Sequence, residues 1–134
     1  MNTKTNSEYM KAEAYALIGA AFEVYNEQGH GLSEEIYQES LEIELSIREI
    51  DFQPKQELTT YYKGRALKKK YIPDLMTHDQ MIVELKALSE LNGDHEAQVL
   101  NYMKITKQPI GYLLNFGKPD GVQWKRLIQS EFLK

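Results

Sequence analysis

Apolar residues early in the chain recur at steps of three and four. Met10, Ala14, Leu17, Ile18, Ala21, Phe22 and Tyr25 form one stripe over residues 7–28, the spacing that gathers side chains on a common face of a helix. Gly29-His30-Gly31 ends that periodicity. Ser33 then reads as an N-cap, with Glu34 and Glu35 in the first turn of a second helix that runs through Ile36, Tyr37, Leu41, Ile43 and Leu45 to about Arg48. Beyond Asp51 the pattern turns to strands: residues 57–62, a turn at Lys63-Gly64, residues 66–76 and, after residues 77–80, the apolar run Met81-Ile82-Val83-Glu84-Leu85. These predict a three-stranded meander. A third helix is expected from Asp94 to about Ile105, then a buried strand, Ile110-Gly111-Tyr112-Leu113-Leu114-Asn115-Phe116, and an edge strand within residues 121–128.

The order helix, helix, three strands, helix, strand predicts an α/β unit with a mixed sheet. No repeat, low-complexity segment or linker interrupts it, and 134 residues suit a single domain over residues 1–134.

Composition narrows the chemistry. With no cysteine, disulfides and thiolate metal sites are excluded, so any metal is a hard cation held by carboxylates, histidines or carbonyls. No apolar run approaches the roughly 18 residues of a membrane span. The start, Met1-Asn2-Thr3-Lys4-Thr5-Asn6, lacks the apolar stretch of a signal peptide. The expectation is a cytoplasmic protein with no membrane partner. A net charge of −4 argues against a protein that coats nucleic acid. Lys63, Arg65, Lys68, Lys69 and Lys70 nevertheless form a local basic patch; its plainer reading is a charged edge strand.

Two segments, Ile72-Pro73-Asp74-Leu75 and Val83-Glu84-Leu85-Lys86, place charges inside apolar strands. A buried carboxylate costs several kcal/mol unless paired or bound to a metal. Directly opposed residues of antiparallel strands share a face, and a one-residue slip reverses it. A loop centred on Asp79 opposes Met76 to Ile82, Asp74 to Glu84 and Ile72 to Lys86, gathering all three charges on one face. A two-residue His78-Asp79 turn would send Glu84 to the other side, so the odd-length loop is predicted. Two carboxylates one strand apart suit Mg²⁺, and Lys86 is placed to orient a water or stabilise a phosphate. The competing reading is a structural ion pair of these acids with Lys86 or a lysine of residues 68–70.

Pro73-Asp74 followed by Glu84-Leu85-Lys86 resembles the signature of the PD-(D/E)XK nuclease superfamily. Gly31-Leu32-Ser33-Glu34-Glu35-Ile36-Tyr37, Ile82-Val83-Glu84-Leu85-Lys86-Ala87, His95-Glu96-Ala97-Gln98 and Leu113-Leu114-Asn115-Phe116 are together similar, over residues 14–128, to the GxxExxY protein family. The resemblance implies a restriction-endonuclease-like core, its mixed sheet flanked by helices. It also implies a metal-dependent phosphodiesterase, a DNA endonuclease or repair-type nuclease that leaves a 5′-phosphate. Asp74 and Glu84 would hold Mg²⁺, for which Mn²⁺ can substitute, with the Leu85 carbonyl as a further ligand and Glu34 acting through water. Lys86 would assist catalysis, with Gln98 and Tyr102, four apart on one helical face, in support. The partner is nucleic acid, DNA ahead of RNA, with a homodimer left open.

Glu34 has a plainer reading too, with Leu32 and Tyr37, as part of a helix start bearing a hydrophobic staple. His30, His78 and His95 form no spaced ligand pair. Tyr61, Tyr62 and Trp124 could stack on bases, but aromatics in strands usually pack against a core, so they are kept out of the site. The alternative to an enzyme is a non-catalytic module that keeps the nuclease fold for nucleic-acid binding or protein interaction.

Overall fold

The computed structural model describes residues 9–133; the predicted helix start at Ser7 lies outside them. Helix α1 (Lys11–Gln28) buries Ala14, Leu17, Ala20, Ala21 and Val24. The buried face is narrower than the predicted stripe, since Phe22 stays 45% exposed. Gly29, at φ 72°, closes the helix and donates its N–H to the Tyr25 carbonyl at 2.7 Å. Helix α2 (Glu34–Ile47) turns Tyr37, Leu41 and Leu45 inward. Ser33 does sit at its N-cap in an extended conformation, but its hydroxyl makes no capping bond. Tyr37 secures this end: its hydroxyl donates to the Gly29 carbonyl at 2.6 Å and accepts from the Leu32 N–H at 3.3 Å, while its ring stacks on Phe116 at 4.7 Å.

Strands β1 (Phe52–Pro54), β4 (Leu75–Thr77), β5 (Met81–Lys86), β6 (Ile110–Asn115) and β7 (Gln123–Ile128) form a five-stranded sheet in the order β1-β4-β5-β6-β7. Only β5 and β6 in it run parallel, joined through helix α3 (Gly93–Thr106), so the sheet is mixed as predicted. Strands β2 (Leu58–Tyr62) and β3 (Arg65–Tyr71) make a separate hairpin.

The meander therefore needs correction. Residues 66–76 do not form one strand; β3 ends at Tyr71, the chain bends through Ile72-Pro73-Asp74, and β4 starts in the other sheet. Pro73 has no N–H to give to a ladder, which is a physical reason for the break. β1 was not predicted: it is only three residues long and carries Pro54.

The odd loop His78-Asp79-Gln80 sets Met76 opposite Ile82, as predicted, and Thr77 opposite Met81, but the ladder ends at Leu75 opposite Val83, so the predicted pairs Asp74–Glu84 and Ile72–Lys86 lie outside it. Alternation along β5 then sorts the core. Met81, Val83 and Leu85 pack with α1 and α2, while Ile82 packs with Val99 and Met103 of α3. Glu84 and Lys86 share the parity of Ile82 and so belong to the α3 side. β6 is buried throughout. α3 starts in a capping box in which the Asn92 side chain accepts from the His95 N–H and His95 bonds back to the Asn92 N–H.

Candidate active site

Asp74 follows the bend at Pro73, one residue before β4, and its side chain is 20% exposed. One carboxylate oxygen accepts the Leu85 N–H at 2.8 Å and the other accepts the Lys55 ammonium at 2.7 Å. Its backbone carbonyl takes the Gln38 amide at 2.7 Å and the Lys55 N–H at 3.2 Å. Asp74 is thus tied to α2, β5 and the segment after β1.

Glu84 is half-buried in β5 and accepts the Tyr71 hydroxyl at 2.5 Å. Burial raises its carboxyl to about 7, the Asp74 charge adds to this, and Tyr71 and Lys86 oppose it. The Tyr71 phenol is held far above its ordinary range, chiefly by burial and then by the charge of Glu84, so it stays a donor. Tyr71 is stacked on Tyr102 of α3, ring centroids 3.9 Å apart and planes within 8°.

Glu84, Lys86, Gln98 and Tyr102 line one cavity of about 330 Å³, joined there by Lys69 and Lys70. Its walls combine one carboxylate with three ammonium groups. Asp74 opens instead onto a smaller cavity of about 170 Å³ with Glu34, Gln38 and Lys55. The predicted residues are therefore brought together in two halves that meet at the Asp74 and Glu84 carboxylates. Glu34 is exposed and reaches the Asp74 half only. Among the described residues, no three His, Asp or Glu side chains gather as a ready cation cage.

Sequence reasoning missed three members of this neighbourhood. Lys55 follows β1, a strand too short to predict, and pairs with Asp74 from 19 residues away. Gln38 lies on α2, and only the tertiary fold brings it to Asp74. Tyr71 carried a signal that went unused: it stands three residues before Asp74, at the end of a strand. The lysines suggested as structural partners, residues 68–70 and Lys86, are not those that bond Asp74. Tyr61, Tyr62 and Trp124 are exposed rather than packed in a core.

A mixed sheet covered by helices on both faces, with paired carboxylates at its central hairpin and a lysine two residues on, defines a restriction-endonuclease-like α/β fold. The chain belongs to the PD-(D/E)XK nuclease superfamily, whose sequence pattern it matches over residues 11–127. Members of that superfamily generally use divalent metals. The fold is similar to that in the crystal structure of SSO0001, with a TM-score of 0.54 at 15% identity over 96% of this chain. The match spans 66% of that protein's chain. No curated protein matches the sequence. Among the described residues, no helix is long and apolar enough to cross a membrane.

The donor set fits a hard divalent cation. Two carboxylates press together, and one is lifted to about 7 by burial and by its neighbour's charge. Lys86 offsets that charge only in part and forms no ion pair among the described residues. A cation between the two oxygen donors would relieve the repulsion that burial imposes.

Proposed function

We propose that this chain is a metal-dependent phosphodiesterase acting on nucleic acid, DNA ahead of RNA, within one nuclease-like domain similar to the GxxExxY proteins. The observation that carries the reading is the half-buried Glu84 carboxyl pushed up to about 7 beside Asp74. Such a pair is unfavourable by itself and favourable around Mg²⁺ or Mn²⁺.

Asp74, Glu84 and the Leu85 carbonyl would hold the cation, with Glu34 contributing through water. When bound, it supplies Lewis-acid polarisation of the phosphoryl group and a more acidic water. The other groups are the chain's own. Lys86 projects from the strand that carries Glu84 and offsets negative charge gathering on phosphorus. Lys69, Lys70 and Gln98 offer donors to the phosphates on either side of the cut. Tyr71, stacked against Tyr102, fixes the Glu84 carboxylate through one oxygen. Lys55 pairs with Asp74 at 2.7 Å and would have to give way to a divalent cation held there.

The test is cleavage of plasmid and oligonucleotide substrates with Mg²⁺ or Mn²⁺. Wild type should cut, while Asp74→Ala and Glu84→Ala should lose at least about 100-fold in rate and remain folded. The Lys55–Asp74 pair favours a second reading, a non-catalytic module whose acids are satisfied by lysine. Calorimetric titration separates the two, because that module would bind no Mg²⁺.

A further inference from the structure

The hairpin of β2 and β3 is hydrogen-bonded to neither edge of the main sheet. Every residue from 61 to 70 is exposed. Residues 57–71 hold five cations, Lys63, Arg65, Lys68, Lys69 and Lys70, against the single anion Glu57, in a chain whose net charge is −4. The ribbon is therefore a positive feature on an otherwise acidic protein.

Lysines on an edge strand commonly serve to block aggregation. Two further features exceed that role. First, the ribbon is continuous with the site: its base residue Tyr71 bonds Glu84, and Lys69 and Lys70 line the cavity that holds Glu84 and Lys86. Second, its tip is aromatic. Tyr62 is 63% exposed, lies opposite Arg65 on one face of the ribbon, and has the Lys63 ammonium 5.5 Å from its ring centre. A protective edge has no use for an exposed ring beside cations, whereas stacked bases along a charged track require both.

The dimensions suit that occupant. β3 spans seven residues, or about 20 Å at roughly 3.3 Å per residue, and phosphates along one stacked strand recur about every 3.4 Å. The ribbon therefore parallels about six phosphates leading away from the cavity. The turn at Lys63-Gly64, with both residues at positive φ, keeps the ribbon tight. The Thr60 hydroxyl bonds the Lys69 carbonyl at 2.6 Å and stiffens it further.

We propose that the β2–β3 hairpin is a nucleic-acid-gripping arm that holds a strand with unpaired bases: its lysines and Arg65 engage the phosphates, and Tyr62 stacks on a base at the tip. This rests on the nuclease reading above and assigns its substrate class, a single strand or a single-stranded segment. In intact duplex a base exposes its edges, and its faces are already stacked, so a tip tyrosine has a partner only where pairing is lost.

Fluorescence anisotropy in EDTA, where no cleavage occurs, tests the arm with a labelled oligothymidylate of about 20 nucleotides and a duplex of the same length. Wild type should bind the strand at least about tenfold more tightly than the duplex, and Tyr62→Ala should weaken strand binding about tenfold. Replacing Lys63 and Arg65, which flank Tyr62 and lie outside the Glu84 cavity, together by Gln should flatten the salt dependence by about 0.7 in slope per cation. All three sites are exposed, so unchanged thermal melting serves as the folding control. Equal affinity for strand and duplex, or hairpin variants that bind as wild type does, would overturn the proposal. Binding as expected without Mg²⁺- or Mn²⁺-dependent cleavage would retain the arm and remove the nuclease. Cleavage with unaltered binding in the hairpin variants would do the reverse.

Discussion

At the scale of single residues, the site is a contest between burial and charge. Glu84 is raised from 4.5 to about 7 in the folded protein, so the native state holds a proton there that the unfolded chain releases. The stabilising contribution is complete below about pH 4.5 and is lost as pH rises through about 7. Glu84→Gln removes the titration. The metal-free variant should melt above wild type at pH 8, by an amount that shrinks toward pH 5, and should lose Mg²⁺-induced stabilisation; paired melting curves at the two pH values check this. Lys55 provides the complementary test. Its side chain is 58% exposed, so solvent screens its pair with Asp74 and Lys55→Ala should cost the metal-free fold no more than about 1 kcal/mol. With its competitor gone, Mg²⁺ should bind several-fold more tightly by calorimetry. Sequence pattern singled out Asp74, Glu84 and Lys86 because charges inside apolar strands need a reason. It missed Lys55 and Gln38, whose roles depend on long-range packing that leaves no local periodicity.

At the scale of elements, alternation and spacing were readable wherever an element is long and one-sided. α1, α2, α3 and β6 each form where the pattern put them, although Phe22 of α1 and Ile36 and Ile43 of α2 belong to that pattern and stay exposed, and the odd loop after Thr77 fixed the register that puts Met76 opposite Ile82. The division of residues 66–76 between two sheets was encoded by Pro73 but masked by the strand-like residues around it. Close approach between elements was not readable at all. At Gly111 an added Cβ would lie 2.6 Å from the Met103 sulfur of α3, whereas at Gly117 it would lie 2.3 Å from the Leu88 carbonyl oxygen and 2.4 Å from the Leu88 nitrogen. A methionine can swing aside and a backbone cannot. Gly111→Ala should therefore cost about 1–3 kcal/mol and Gly117→Ala more than that, as read from urea unfolding. Asn115 adds to the second penalty, because its buried amide bonds both the Leu88 N–H, at 2.8 Å, and the Leu88 carbonyl, at 2.9 Å. Those bonds fix the chain just beyond Lys86, so Gly117→Ala should also disturb the lysine end of the site.

At the scale of the whole molecule, the five-stranded sheet and the two-stranded hairpin are separate hydrogen-bonded units. The hairpin meets the rest of the fold through Tyr71, bonded to Glu84 of β5 and stacked on Tyr102 of α3, and through β2 packed on α3. Cooperative opening follows such boundaries. The amides of β2 and β3 should therefore exchange with solvent deuterium well before those of β5 and β6, in one shared opening step. Each opening pulls the Tyr71 hydroxyl away from Glu84, so the frequency of that excursion and the charge on Glu84 are thermodynamically linked. Mg²⁺ should then slow deuterium uptake in β3, although no residue of that strand is among its proposed ligands. The amides of residues 65–71 become a clock for events at Glu84, one that mass spectrometry can follow without a substrate.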